Sequence, residues 1–444
     1  MDNSHRKQAN VTRPKCNAKI KRAGPYLLGP RVGNSPVRSI VQCLAKLEGT
    51  DQFYTMKILT LKDLTEEKQD DIQGKMLMHT EFSLLSLLQG EPGVVQMHRF
   101  FQDEVYEQPT VPSSPPPPSP ANDRKHDNVK QLPKRKRLCM ALDCLYPHDY
   151  NHSSGDLINC QHYVIREKRL SEMEAIMIFT DIMKVVENLH KKNIVHRDLK
   201  LGNMVLNKRT RRVTITNFCL GKHLLSDDEL LTDQRGSPAY ISPDVLSGTP
   251  YAGKASDIWA LGVVLFTMLY GQFPFYDNMP HELFRKIKAA EYLLPDDHRV
   301  SPAVKCIIKK ILVLNPKKRP TASDLLRHSY SLLYTWFIPK SIDENDQCVP
   351  EMPSDDMTNT MDKVTQKDEK DLRKQCLQYF DNSFYGKKTQ FLNMQLLTRK
   401  RKAASIPVQS IHEDARPLTP VETELMSRRG YLQPFSPYLS NNLN

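Results

Sequence analysis

Hydrophobic and polar positions follow two rhythms along this chain. Between Tyr26 and Leu61, short runs rich in β-branched and aromatic residues (39–44 and 53–59) are separated by turn formers, which predicts strands. Over residues 75–88 the spacing becomes helical, with Met76, Phe82, Leu84, Leu85 and Leu88 forming an apolar stripe. Residues 138–142 read as a further buried strand. From Ser171 to Trp336 helical periodicity prevails, interrupted by loops around 196–204 and 217–244. A small β-rich part followed by a large helical part predicts an α+β fold.

Three stretches lack either rhythm. Residues 1–22 are polar and basic. Residues 104–137 contain the proline–serine run 112–120 and the basic run 124–137, which cannot bury enough apolar surface to offset their ordering entropy. Beyond Pro339 the chain holds an acidic cluster (343–356), an amphipathic stretch near 369–379 and the basic run 399–402. The expected organisation is one domain over 23–337 with a flexible insertion at 104–137, a disordered N-terminus at 1–22 and a largely disordered tail at 338–444. No internal repeat at solenoid spacing is present.

Composition narrows the function classes. The net charge of +12 fits an acidic partner or a nuclear environment, but the basic residues are too unevenly spread for one continuous nucleic-acid groove. The nine cysteines are scattered singly, with no Cys-x-x-Cys pair, so reduced thiols are expected and a zinc site is not. The N-terminus carries no apolar leader. The longest apolar run, 259–269, is short of the ~20 residues needed to cross a bilayer, so no membrane association is expected.

The chemistry concentrates in His196-Arg197-Asp198-Leu199-Lys200-Leu201-Gly202-Asn203. This octapeptide resembles the catalytic loop of the eukaryotic protein kinases, including the lysine two residues after the aspartate that marks serine/threonine enzymes. A chance match in an ordinary loop is the alternative, and the accompanying motifs remove it. Lys57 closes Tyr54-Thr55-Met56-Lys57, similar to the third strand's Val-Ala-Ile-Lys, and Glu81 lies on the following helix. Residues 236–244 resemble the end of an activation segment, with Ser-Pro-Asp in place of Ala-Pro-Glu. Residues 257–262 resemble the start of the central helix of the large lobe, and Arg319 matches the arginine that pairs with the Asp244 position.

The resemblance implies a bilobal protein-kinase fold and a set of roles. Asp198 would accept the substrate hydroxyl's proton, Lys200 would sit by the transferred phosphate, and Asn203 would hold magnesium. Lys57 and Glu81 would pair to position phosphates. Gly33, Ile40, Asp143 and Cys144 would line the nucleotide cleft. Two departures weaken this. In 33–40 only the first of three loop glycines survives, as Gly33, while Pro36 lacks an N–H and Arg38 adds bulk. Asn217-Phe218-Cys219 stands where kinases keep Asp-Phe-Gly. Mg²⁺ favours carboxylate oxygens, and losing that contact at ~3–4 kcal/mol would slow transfer by roughly 10²–10³. Weak ATP binding, impaired magnesium binding and a serine/threonine-kinase-like pseudokinase are therefore expected, with a slow active kinase as the alternative.

Residues 201–210 and 215–222 sharpen the likeness to the Tribbles-related pseudokinases, over roughly residues 20–335. That likeness implies a use for the tail. Asp346, Gln347, Val349, Pro350 and Glu351, within 343–352, resemble the relatives' docking peptide for the β-propeller of the constitutive-photomorphogenic E3 ubiquitin ligase. Val349-Pro350 supplies a pre-extended apolar anchor between acidic residues. The implied role is an adaptor in nucleus and cytoplasm that brings protein clients such as transcription factors to the ligase. The basic runs 134–137 and 399–402 are candidate nuclear-import signals or solvated loop charge. Nucleic-acid binding rests on net charge alone and is not expected.

Overall fold

The computed structural model describes residues 21–33, 35, 37–62, 65–106, 134–150 and 152–337. The small lobe is a six-stranded antiparallel sheet in the order β1-β2-β3-β4-β6-β5. Its strands are β1 (Arg22–Ala23), β2 (Tyr26–Arg31), β3 (Ile40–Leu47), β4 (Phe53–Thr60), β5 (Met97–Tyr106) and β6 (Lys134–Asp143). Helix α1 (Gln69–Leu87) precedes β5 and packs on one face of the sheet. It turns Leu77, Met78, Leu84 and Leu85 inward, and with them Glu81. Gly74 permits this approach, because a Cβ there would lie 2.6 Å from the Ser39 hydroxyl oxygen.

The other face of the sheet is covered too. Tyr26, Cys43, Met56, Ile58 and Cys139 form a second, smaller core, against which Tyr54 and Phe101 pack. Sequence reasoning placed 104–137 in one flexible insertion, but its two ends are strand. Tyr106 pairs with Lys134, Val105 with Arg135, Glu104 with Lys136 and Asp103 with Arg137. The basic run 134–137 is thus the start of β6, and Arg137 is held by Asp103 in an ion pair. Cross-strand acid–base pairing gives these polar residues the partners that make them viable strand positions.

The large lobe follows as β7 (Leu157–Asn159), α2 (Cys160–Glu167), α3 (Glu172–Lys191), β8 (Ile194–Val195), β9 (Met204–Asn207), β10 (Val213–Ile215), β11 (Lys222–His223) and β12 (Leu230–Leu231). Then come α4 (Pro243–Leu246), β13 (Tyr251–Ala252), α5 (Gly253–Tyr270), α6 (Pro280–Ala289), α7 (Pro302–Ile311) and α8 (Ala322–Phe337). The apolar run 259–269 is the heart of α5, buried from Asp257 to Tyr270. A helix apolar all round belongs in the middle of a lobe. No helix among the described residues is long and apolar enough to cross a membrane.

Helix α5 sets the floor of the site. Asp257, near the N-terminal end of the helix, accepts the backbone N–H of His196 (2.9 Å) and of Arg197 (2.8 Å), and holds His190 at 3.1 Å. Those bonds fix the loop that carries Asp198, with Arg197 at φ 62°. Arg319, whose side chain is wholly buried, lies over Trp259, donates to the Ala255 carbonyl at 3.0 Å and pairs with Asp244. The segment 236–244 is thereby tied to α5.

Candidate functional site

The residues singled out by sequence converge where the lobes meet. Lys57, in the middle of β4, and Glu81, in the middle of α1, form an ion pair with Nζ 2.7 and 2.6 Å from the two carboxylate oxygens. Both side chains are buried, and removing one partner of such a pair costs about 3–5 kcal/mol. Burial pulls the Lys57 ammonium down, but the Glu81 charge and hydrogen bond, with the neighbouring Cys219 and Tyr146, together outweigh it and the pKa is raised. The third ammonium hydrogen goes to Asn217 Oδ1 at 3.0 Å. All three donors of Lys57 are therefore satisfied within the protein.

Asn217 continues the chain of bonds. Because Lys57 is purely a donor, the amide oxygen must face it, which leaves Nδ2 to donate to Asn203 Oδ1 at 2.8 Å. Asn203 in turn gives its Nδ2 to the Asp198 backbone carbonyl (2.8 Å) and to Asp198 Oδ2 (2.9 Å). Its orientation is fixed by the same logic, since both of those partners are acceptors. The atom of Asn203 that would face a metal instead receives a hydrogen bond from the residue that replaced the metal-binding carboxylate.

Asp198 is held on its other side by Ser237. The serine hydroxyl donates to Asp198 Oδ1 at 2.7 Å and accepts from Lys200 Nζ at 2.7 Å, while Lys200 stands 3.2 Å from Asp198 Oδ2. The sequence marks residues 236–244 only as resembling the end of an activation segment and gives Ser237 no role. The only signal was the position of a hydroxyl residue just after Gly236.

Asn217 adopts the left-handed conformation (φ 62°, ψ 62°), which asparagine tolerates better than most residues. Phe218 follows, wholly buried and edge-on to His196 at 4.8 Å. Cys219 sits in the single 3₁₀ turn Phe218–Leu220 and is not among the residues of positive φ, so this turn does not demand glycine there. Burial, and after it the Glu81 charge, pushes its thiol up to about 12, so it is an inert packing group.

The other residues expected at the cleft pack or hydrogen-bond within the protein. Ile40 is buried in the main core beside Leu59 and Met140. The Asp143 carboxylate is bound to the Gln96 N–H (2.9 Å) and His98 Nε2 (2.7 Å) at the base of β5. Cys144 donates weakly to the Tyr146 carbonyl. Gly33 has φ +64°, and a Cβ there would collide with the hydroxyl of Tyr146. The Tyr146 phenol is raised chiefly by burial, while the nearby Lys57 pulls it down and Cys144 and Glu81 push it up. Its ring therefore lies under the Gly33 turn and close to the Lys57–Glu81 pair. Nothing in the sequence marks Tyr146, since an aromatic residue just past a strand end is an ordinary packing residue.

Residues 32–331 match the protein kinase domain family. The chain is 52% identical over 420 residues to serine/threonine-protein kinase 40 of Rattus norvegicus, and 51% identical over 428 residues to that of Homo sapiens, with 92% of each chain covered in both cases. The chain belongs to the protein kinase family, in its serine/threonine-protein kinase 40 branch. A more distant kinase-family relative, Tribbles homolog 1 of Homo sapiens, is 37% identical over 231 residues, 51% of this chain and 62% of that one. Kinase domains in general use ATP and Mg²⁺. In this member Glu81, Lys57, Asn217, Asn203 and Asp198 form one hydrogen-bonded row. Asp346, Gln347, Val349, Pro350 and Glu351 lie outside the described residues.

Proposed function

We propose that this protein is a pseudokinase adaptor, present in nucleus and cytoplasm, that brings protein clients to an E3 ubiquitin ligase through its tail. The observation that carries the first half is the bond from Asn217 Nδ2 to Asn203 Oδ1. It replaces a cation between two oxygens by a neutral hydrogen bond, so the donor set does not fit Mg²⁺, which wants anionic oxygens. Tyr146 under the Gly33 turn adds a steric obstacle to nucleotide. The second half is supported by the tail residues 346–351 and their likeness to the docking peptide of Tribbles-related proteins.

Two measurements test this. In thermal unfolding of the full chain, ATP should leave the midpoint unchanged in magnesium and in EDTA alike. A ligand at ~100 times its dissociation constant would add ~2.7 kcal/mol, and a magnesium-dependent rise of that kind would sink the reading. Separately, a peptide of residues 340–356 should bind the ligase propeller, and Val349→Ala with Pro350→Ala should abolish that binding. Equal affinity of both peptides would remove the ligase from the proposal.

A second reading is favoured by the intact Asp198–Lys200–Ser237 cluster and the Lys57–Glu81 pair: a slow serine/threonine kinase. Asp198→Asn separates the two. Phosphotransfer vanishes in a kinase, whereas an adaptor keeps its cellular function.

A further inference from the structure

The geometry points to a docking surface for acidic clients on the large lobe, formed by Lys305, Lys309, Lys310, Lys317, Lys318 and Leu314. It rests on the adaptor reading and names the chemistry of the client, an acidic segment interspersed with apolar residues.

Helix α7 buries Val304, Ile307, Ile308 and Ile311, which leaves Lys305, Lys309 and Lys310 on its outward side. The chain then turns. Leu312 N–H bonds the Ile308 carbonyl, and the Asn315 side chain caps the 3₁₀ turn Pro316–Lys318 that carries the last two lysines. Helix α7 and this turn both pack against α5, so the five lysines rise from neighbouring elements. Four are exposed and Lys305 is half-buried.

None of the five has a carboxylate in ion-pair range among the described residues, and none occurs among those with other partners. Elsewhere on this lobe many basic side chains are paired, such as Arg285 with Glu282 and Glu291, Lys286 with Asp277, and Lys254 with Asp227. Residues 305–318 contain no Asp or Glu at all. Attraction to the C-terminal end of the α7 dipole accounts for Lys309 and Lys310. It does not account for Lys305 near the helix start, nor for Lys317 and Lys318 beyond it.

Two details select an acidic protein segment over nucleic acid. The one arginine of the region, Arg319, is turned inward with its side chain wholly buried, so the bidentate group suited to phosphate is absent from this surface. Within 305–318 there is also no aromatic ring on which a base could stack, whereas Leu314, 48% exposed, offers an apolar contact in the turn between the lysines. Segments in which acidic and apolar residues alternate complement such a face.

The test is fluorescence anisotropy of a short labelled peptide alternating Asp or Glu with Leu or Phe, titrated with the full chain. A charge-reversed chain, K309E with K310E and K317E, serves as comparison. The intact chain should bind with an affinity that falls as salt rises, and the reversed chain should bind about tenfold more weakly or worse. The Lys-to-Glu chain should stay folded, with a thermal midpoint lowered only slightly by the two carboxylates at the C-terminal end of α7, because all three positions are solvent-facing. Unchanged affinity in the reversed chain overturns the proposal. So does a duplex DNA oligomer that binds more tightly than the peptide and shows the same loss. Propeller binding by the 340–356 peptide reports on the adaptor reading alone, since it involves none of these lysines.

Discussion

An amide and a carboxylate occupy nearly the same space, yet at position 217 the difference decides which hydrogen bonds form around Lys57 and Asn203. With an amide, Lys57, Asn217, Asn203 and Asp198 satisfy one another without any ion. With a carboxylate, two acceptor oxygens would face each other across the Asn203 contact, and a cation is the natural bridge. Asn217→Asp is therefore expected to gain a magnesium-dependent rise in thermal midpoint that the unaltered chain lacks. Differential scanning fluorimetry across a magnesium titration checks this, and a flat response would show that the amide is not what excludes the metal. The departure at 217 was legible in the sequence because the surrounding motif fixes what should stand there. Its consequence for Asn203 was not, because a hydrogen-bond direction depends on which atoms face which. Tyr146 and Ser237 escaped for the same reason: their importance lies in where the fold points them.

At the scale of elements, one carboxylate ties the segment after the 217–220 turn to the loop that carries Asp198. Asp233 receives Arg197 at 2.6 Å and pairs with Arg235, while its carbonyl accepts the Tyr251 hydroxyl at 2.9 Å. Burial pushes the Asp233 carboxyl up, but the charges of Arg197 and then Arg235 outweigh it, so its pKa is depressed in the folded chain. A depressed carboxyl stabilises the fold above its unfolded pKa of ~3.9 and loses that contribution as the pH falls through its lower folded value. Amide protection over 224–236 should hold at pH 5 and fall only as the pH drops through the depressed folded value, below the ordinary carboxylate range, and Asp233→Asn should show the loss already at pH 7. Hydrogen exchange followed by mass spectrometry reads both, and protection in Asp233→Asn equal to that of the parent refutes the arrangement. The elements themselves were largely readable from periodicity. The exception was the hairpin of β5 and β6, where alternating charge hides a strand whose partners lie across the ladder rather than along the chain.

For the whole molecule, the fold class and bilobal order were recoverable because a β-period region precedes a long helical one and the kinase motifs fall in sequence along both. The connection between β5 and β6 was less visible. Residues 107–133 connect two strands already paired up to Tyr106 and Lys134, so the connection is a hairpin loop in topology whatever its length. Replacing 107–133 by Asn-Gly, which suits a two-residue hairpin turn, should leave the fold intact. Loop-closure entropy suggests a gain of up to about 2 kcal/mol, a rise of a few degrees in thermal midpoint. A fall in the midpoint would mean that the connection contributes contacts of its own.

The ring of Tyr146 beneath the Gly33 turn also bears on how this protein is to be found and followed by chemical means. Immobilised ATP-site inhibitors enrich kinases from extracts by filling a ready-made slot, and on the proposed reading Tyr146 would stand in the way of that. Inventories assembled with such reagents would then pass over this protein even where it is abundant. A selective small-molecule handle has to displace a tyrosine that ordinary kinases need not carry, or else engage the surface outside the cleft.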